Sequence, residues 1–248
     1  MRIRKIARTL RRRKIAQAQS VLRSKTDGYI ASGPFQGLRY ITDSINSAWS
    51  PKVIGTYEKE LWSIVEEIID KSYKLIIDIG AAEGYYAVGF AYRMQETKVI
   101  CFESEPNAHL LLQNFAKLNT VDDQIEVFGA CTPEVLSEII YSDQRTVIIC
   151  DIEGAEYTLL DPKKVPLLQN TDILVELHHF VCPDIAHIFY ERFSETHRIE
   201  LIKTNPRNYQ DFPRCLTISK KYAMACMDED RPCSMMWFWM KTKEVLVN

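Results

Sequence analysis

The 248-residue chain has no apolar run long enough to cross a bilayer, and no short apolar stretch follows its basic start as a secretory signal would. A soluble, cytoplasmic body is the expectation. It also has no C-x-x-C pair. Seven cysteines, an odd number, lie scattered at Cys101, Cys131, Cys150, Cys182, Cys215, Cys226 and Cys233, several within apolar runs. That pattern excludes a disulfide scaffold and a zinc site and fits a reducing compartment. Internal repeats are missing, as are low-complexity tracts outside the first residues. Acids are missing from residues 1–25, which hold ten Lys or Arg; the remainder carries 21 basic against 33 acidic residues, a net −12 hidden behind the overall −2. The start, MRIRKIARTLRRRK, places Ile3, Ile6, Ala7 and Leu10 on one helical face and suits an anionic membrane surface or nucleic acid. A solvated arm and a cleavable organelle transit peptide fit the same composition. A body at −12 is a poor phosphate-binding surface, which disfavours nucleic acid as a partner.

With 46% hydrophobic residues the chain can bury a full core. It divides into a basic arm over 1–27, a loop-and-helix lead-in over 28–73 and a main domain over 74–248. The lead-in holds Gly28, Gly33, Pro34, Gly37, Pro51 and Gly55, with a short hairpin expected from Phe35 to Thr42. Thr56 reads as the N-cap of a helix from Tyr57 to Lys71, whose Leu61, Ile64, Val65, Ile68 and Ile69 recur at helical spacing. Strands and helices then alternate. Strands are expected near 75–79, 98–103, 125–129, 146–151, 172–178, 198–203 and 235–241, and helices near 84–95, 106–119, 132–141, 154–168 in broken form, and 184–194. This argues for an α/β fold with a mostly parallel seven-stranded sheet covered on both faces. The last stretch, Met235 to Met240, is apolar on both faces and is expected to insert antiparallel.

The organising stretch runs from Leu75 to Gly84, LIIDIGAAEG, an apolar strand that ends on an acid and then on small residues. It predicts a buried strand, a tight turn and a helix beginning at Tyr85, with the helix's free amides and positive end facing the turn. Gly80 and Gly84, with Ala82 between them, are expected to let a ligand approach the backbone. Dinucleotide-binding turns read G-x-G-x-x-G around a pyrophosphate, which an acid at the strand tip would repel. Here the order is D-x-G-x-A-x-G. Asp78 at the mouth suits a ligand with a cationic amino group and no phosphate, for which S-adenosylmethionine is the common candidate. The pattern resembles the first motif of class I S-adenosylmethionine-dependent methyltransferases. Asp78, Gly80, Ala82, Glu83, Gly84 and Tyr85 form the expected cofactor floor.

Nineteen residues past Gly84, Glu103 ends the second strand, where a carboxylate can accept hydrogen bonds from two vicinal ribose hydroxyls; Glu105 is next in line. Ala130 and Cys131, past the third strand, offer small residues for an adenine ring. The fourth strand ends in Asp151-Ile152-Glu153-Gly154-Ala155-Glu156, three acids around one glycine at the carboxyl end of the strand, where open parallel sheets bind ligands. Asp151 is counted with both the cofactor and the acceptor. The fifth strand carries Glu176, costly to bury unpaired, and then His178 and His179. Asp151, Glu153, Glu176 and His178 can position and deprotonate an acceptor hydroxyl. A divalent cation held by mixed O and N ligands is the alternative use of the same residues, but no metal ligands are assigned.

The segments IICDIEGAEYTLLDP and DILVELHHF, downstream of LIIDIGAAEGYYAVGFA, resemble the FkbM-like branch of class I methyltransferases, whose members often carry D-x-E-G-x-E after the fourth strand and E-x-H on the fifth. The resemblance spans roughly residues 55–203. It implies a Rossmann-like class I methyltransferase fold, S-adenosylmethionine as cofactor held by Asp78, Gly80, Gly84 and Glu103, and a sugar, glycan or natural-product hydroxyl as acceptor near Asp151, Glu153 and Glu156. Rival readings are a nucleic-acid methyltransferase, a non-catalytic cofactor-fold interaction module and a nicotinamide-dependent oxidoreductase. The first lacks the Asn-Pro-Pro-Tyr type of turn after the fourth strand, the second would be expected to have lost the acceptor-site acids, and Asp78 opposes the third.

Overall fold

The computed structural model describes residues 17, 19–41, 44, 48–231 and 233–243. The amphipathic face expected at Ile3, Ile6, Ala7 and Leu10 lies outside the described residues. No helix among the described residues is long and apolar enough to cross a membrane. Seven strands form one sheet: β1 (Leu75–Ile79), β2 (Lys98–Phe102), β3 (Ile125–Phe128), β4 (Thr146–Cys150), β5 (Asp172–Glu176), β6 (His197–Lys203) and β7 (Met236–Thr242). Their order is β3-β2-β1-β4-β5-β7-β6, with β7 alone antiparallel to its neighbours. Residues 19–26 are helical, and the helices that follow are α1 (Trp49–Ile54), α2 (Trp62–Asp70), α3 (Tyr85–Arg93), α4 (Pro106–Leu118), α5 (Pro133–Ile139), α6 (Glu156–Leu159), α7 (Ile185–Phe193) and α8 (Lys220–Cys226).

Strands β1, β4 and β5 are buried along their whole length, as parallel strands covered on both faces must be, and their alternate residues feed two separate cores. Ile76, Val99, Val147, Leu174 and Trp239 pack with α2, α3, α4 and the lead-in. Ile77, Ile100, Ile148, Ile173 and Phe238 pack with α5 and α7. A one-residue slip of any strand would exchange these sets, so the register is firmly specified.

The lead-in departs from expectation. Instead of a hairpin from Phe35 to Thr42, the chain makes an isolated antiparallel bridge between Tyr29 and Arg39. Thr56 caps nothing: the amides of Thr56 and Tyr57 both donate to Pro51 O, closing off α1, and regular α-helix begins only at Trp62 after a 3-10 turn. Helices α1 and α8 are additions; both are short, and neither carries the repeat length that makes periodicity readable.

Phe35 anchors the lead-in to the helix that carries the site. Its ring meets Tyr85, Tyr86 and Phe90 edge-on at centroid distances of 5.3, 6.1 and 5.5 Å. A Cβ added at Gly89 would stand 2.7 Å from three of its ring carbons. Gly89→Ala gains about 1 kcal/mol of helix propensity but overpacks a ring that cannot retreat, a cost of about 1–3 kcal/mol. Net destabilisation of about 1 kcal/mol is expected, read as a lower denaturant midpoint at unchanged slope; a gain in stability would show that Phe35 has room to move.

Candidate active site

Strand order reverses between β1 and β4, and the crevice at the carboxyl ends of the strands there is where open α/β sheets bind ligands. A cleft of about 410 Å³ opens at that point, in the range of small-molecule sites. Its lining includes Asp78, Gly80, Ala82, Tyr85, Glu103, Ala130, Cys131, Asp151, Glu153 and Glu176, so nearly all the residues expected from the sequence converge on it.

Asp78 lies on the core side of β1, only 4% exposed, and its Oδ2 has no hydrogen-bond partner. Burial pushes its carboxyl up to about 7; Asp151 and Glu103 add to the rise, while the Ala87 amide and Lys52 oppose it. An uncompensated buried carboxylate is costly, so this position favours a cationic group arriving from the cleft. Glu103 is half-buried and already braced: Oε2 accepts from the Ala82 amide at 2.9 Å and Oε1 from the Glu105 amide at 2.8 Å. Each oxygen keeps a lone pair for a further donor. Glu105 accepts from the Asn107 amide as the N-cap of α4, and it is Ser104 that lines the cleft. Burial pushes the Cys131 thiol up to about 12, so it stays protonated and packs as a small apolar group.

The turn after β1 is made differently from the expectation. Gly80 sits at φ +86°, and a Cβ there would stand 1.8 Å from the carbonyl oxygen of Asp151. The missing side chain lets the β1 and β4 tips touch, so the space is filled by protein and not by ligand. Gly84, at φ +93°, yields room to Leu112 in α4 and does not line the cleft. Glu83 needs outright correction. Its carboxylate points away from the cleft, fully buried, ion-paired with Lys52 and accepting from the hydroxyls of Tyr40 and Ser44 at 2.7 Å each. Burial opposes its ionisation, yet Lys52 and these donors hold it down at about 2. It is a strut between lead-in and turn.

On the opposite wall, the three acids after β4 divide in two. Glu156 is fully buried and braces the loop, one oxygen accepting from the amides of Ile152 and Gly154 at 2.9 and 3.1 Å. The same oxygen lies 2.8 Å from His178 Nδ1. Asp151 and Glu153 stay open, with side chains 44% and 74% exposed, and face His178 Nε2 at 3.6 and 3.4 Å. Burial would depress the His178 imidazole, but Glu156, Asp151 and Glu153 together raise it. Glu153 holds a left-handed φ of +56°, a conformation that non-glycine residues adopt at a cost. Glu176 touches the cleft, but Arg231 Nη1 lies 3.0 Å from its Oε1 and 3.4 Å from its Oε2. Burial, Asp151 and Glu58 raise its carboxyl against the opposing pull of Arg231, a guanidinium also shared with Glu58 and Glu229. Glu176 anchors the C-terminal loop, so it is not the free base expected of it.

Sequence reasoning missed Lys52, Glu58, Tyr57, Arg231 and Trp237. Lys52, Tyr57, Glu58 and Trp237 line the cleft. Arg231 closes it from behind, over the rings of Tyr57 and Trp237 at 5.6 and 5.4 Å.

No family model and no curated protein matches this chain. Among solved structures, a putative caffeoyl-CoA O-methyltransferase from Staphylococcus aureus aligns over 74% of this chain and 83% of its own, at 13% identity and a TM-score of 0.50. A precorrin-6y C5,15-methyltransferase from Geobacter metallireducens aligns over 72% and 88%, at 15% identity and 0.49. An O-methyltransferase from Bacillus cereus, solved in complex with SAH, aligns over 76% and 82%, at 13% and 0.48. At these identities the likeness is one of fold: the seven-stranded sheet with its antiparallel last strand is that of the class I methyltransferases.

Proposed function

We propose that this chain is an S-adenosylmethionine-dependent methyltransferase of the FkbM-like kind, acting on a hydroxyl of a sugar, glycan or small natural product. The observation that carries the reading is the orphaned Oδ2 of Asp78 at the floor of the cleft. It gives the ligand's ammonium group a buried anionic partner and would repel a phosphate. Glu103, one strand over, keeps lone pairs for the ribose hydroxyls, and Ala130 and Cys131 line the same cleft as small groups suited to adenine. When bound, S-adenosylmethionine would supply an electrophilic methyl group, with the sulfonium sulfur as the leaving group. Asp151, open to the cleft, takes the proton of the attacking hydroxyl, beside His178, whose other ring nitrogen lies against Glu156.

The acceptor wall supports the acceptor class. Asp151 and Glu153 offer exposed carboxylate oxygens to a molecule rich in O–H donors and disfavour an anionic one. That argues against a nucleic-acid strand. Calorimetric titration with S-adenosylmethionine and NAD side by side tests the cofactor. Only the ionised form of Asp78 pairs with an ammonium, so affinity for S-adenosylmethionine should rise with pH. With the carboxyl at about 7, roughly one molecule in ten is competent at pH 6 and nine in ten at pH 8, giving about tenfold tighter binding at the higher pH. NAD binding with no response to S-adenosylmethionine would sink the reading.

A further inference from the structure

Asp151, Glu153 and His178 stand apart from the rest of the cleft in one respect: each presents one ligand atom, and the three atoms lie within 4.8 Å of one another. The separations from Nε2 of His178, 3.6 Å to Asp151 and 3.4 Å to Glu153, are a few tenths of an ångström wider than the ~3.0 Å between adjacent ligands of an octahedral ion with bonds of about 2.1 Å, a gap that small side-chain rotations close. His178 is 98% buried, and its Nε2 is aimed into this group, facing both carboxylates. Behind it, Glu156 stands 2.8 Å from the other ring nitrogen while being fixed by two backbone amides. That carboxylate stands where the outer partner of a metal-bound histidine stands, close enough to take the Nδ1 proton after a small ring rotation. Glu153 is held toward the group by a strained left-handed backbone.

We infer that Asp151, Glu153 and His178 form a divalent-cation site on the acceptor side of the cleft. Two carboxylate oxygens and one imidazole nitrogen suit a divalent cation that takes mixed O and N ligands, such as Mn²⁺, with the harder Mg²⁺ bound more weakly, and the missing thiolate argues against a thiolate-type zinc site. The three residues cover one side of the ion, leaving the side toward the cleft for water or for an acceptor hydroxyl. This placement rests on the methyltransferase reading only for its role, which is to hold and acidify that hydroxyl together with Asp151. Binding itself is independent of it.

The test is titration of the full chain with Mn²⁺ alone, followed by electron paramagnetic resonance of the free ion. One saturable site per chain is expected. Glu153→Gln, at a largely exposed side chain that the fold does not need, should weaken binding at least tenfold, and His178→Gln should do the same. Glu96→Gln, at a remote exposed position, should leave it unchanged. Mg²⁺ should compete for the site. Absence of saturable binding, or equal binding by the parent chain and Glu153→Gln, overturns the inference. A chain that binds Mn²⁺ in this way but does not bind S-adenosylmethionine keeps the cation site and loses the methyltransferase reading.

Discussion

Asp151→Asn is expected to lower turnover by about 10² to 10⁴ while leaving the dissociation constant for S-adenosylmethionine within about twofold, because proton removal from a hydroxyl contributes on that order. The substitution is close to isosteric. The contact that joins the β1 and β4 tips uses the carbonyl oxygen of residue 151 and the bare backbone of Gly80, so the turn should survive intact. The amide of residue 151 still donates to Ile79 O at 2.9 Å. What disappears is an acceptor of protons facing the open side of the cleft. Single-turnover methyl transfer, compared with calorimetric binding of the cofactor, separates the two effects. A variant with full turnover removes Asp151 from the chemistry, and one that fails to bind the cofactor moves it to the other half of the site.

Asp78→Asn is expected to produce a more stable protein that binds its cofactor poorly. The folded-state carboxyl is raised to about 7 from 3.8, so the native state holds a proton that the unfolded chain has released. Stability of the parent therefore falls as pH rises from about 4 to about 7 and stays low above that window. The asparagine side chain has no such penalty. At pH 8 the variant should gain on the order of 2 kcal/mol, a rise in Tm of about 5 °C, and the gain should vanish near pH 4. Affinity for S-adenosylmethionine should fall by about 10- to 100-fold, the value of a hydrogen bond to a charged partner. Thermal melts at pH 4 and pH 8 and a binding titration at pH 8 measure both. A variant that melts lower at pH 8, or that binds as well as the parent, would mean that Asp78 is satisfied within the protein.

Much of this arrangement is legible in the chain itself. The apolar runs Leu75–Ile77 and Val147–Cys150 each stop at an acid, and short β-branched runs bounded by turn residues read as strands buried on both faces; Asp78 and Asp151 follow from where the runs stop. Glu103 follows from β2 in the same way. Glu83 was misread for a physical reason: in a tight turn, consecutive side chains diverge, and adjacency to Gly84 does not say which way a carboxylate points. Its partners, Tyr40, Ser44 and Lys52, lie 43, 39 and 31 residues away. Arg231 was invisible for a similar reason. It reaches Glu58 across 173 residues and Glu176 across 55, in a loop without periodicity, and nothing local reveals such a partnership. Distant polar closure, more than strand placement, is what a linear reading loses.

The buried pair between Lys52 and Glu83 carries a consequence for how this protein can be divided. Lys52 also lies over the rings of Tyr57 and Tyr85, at 4.8 and 5.4 Å, and lines the cleft itself. A chain shortened to begin at residue 74 would remove Lys52, Tyr40 and Ser44 from an anion inside the core beneath the turn after β1. Such a fragment would not be a minimal enzyme. Grafting this cleft onto another scaffold, or swapping acceptor loops with a relative, must therefore carry the lysine-bearing helix along with the sheet.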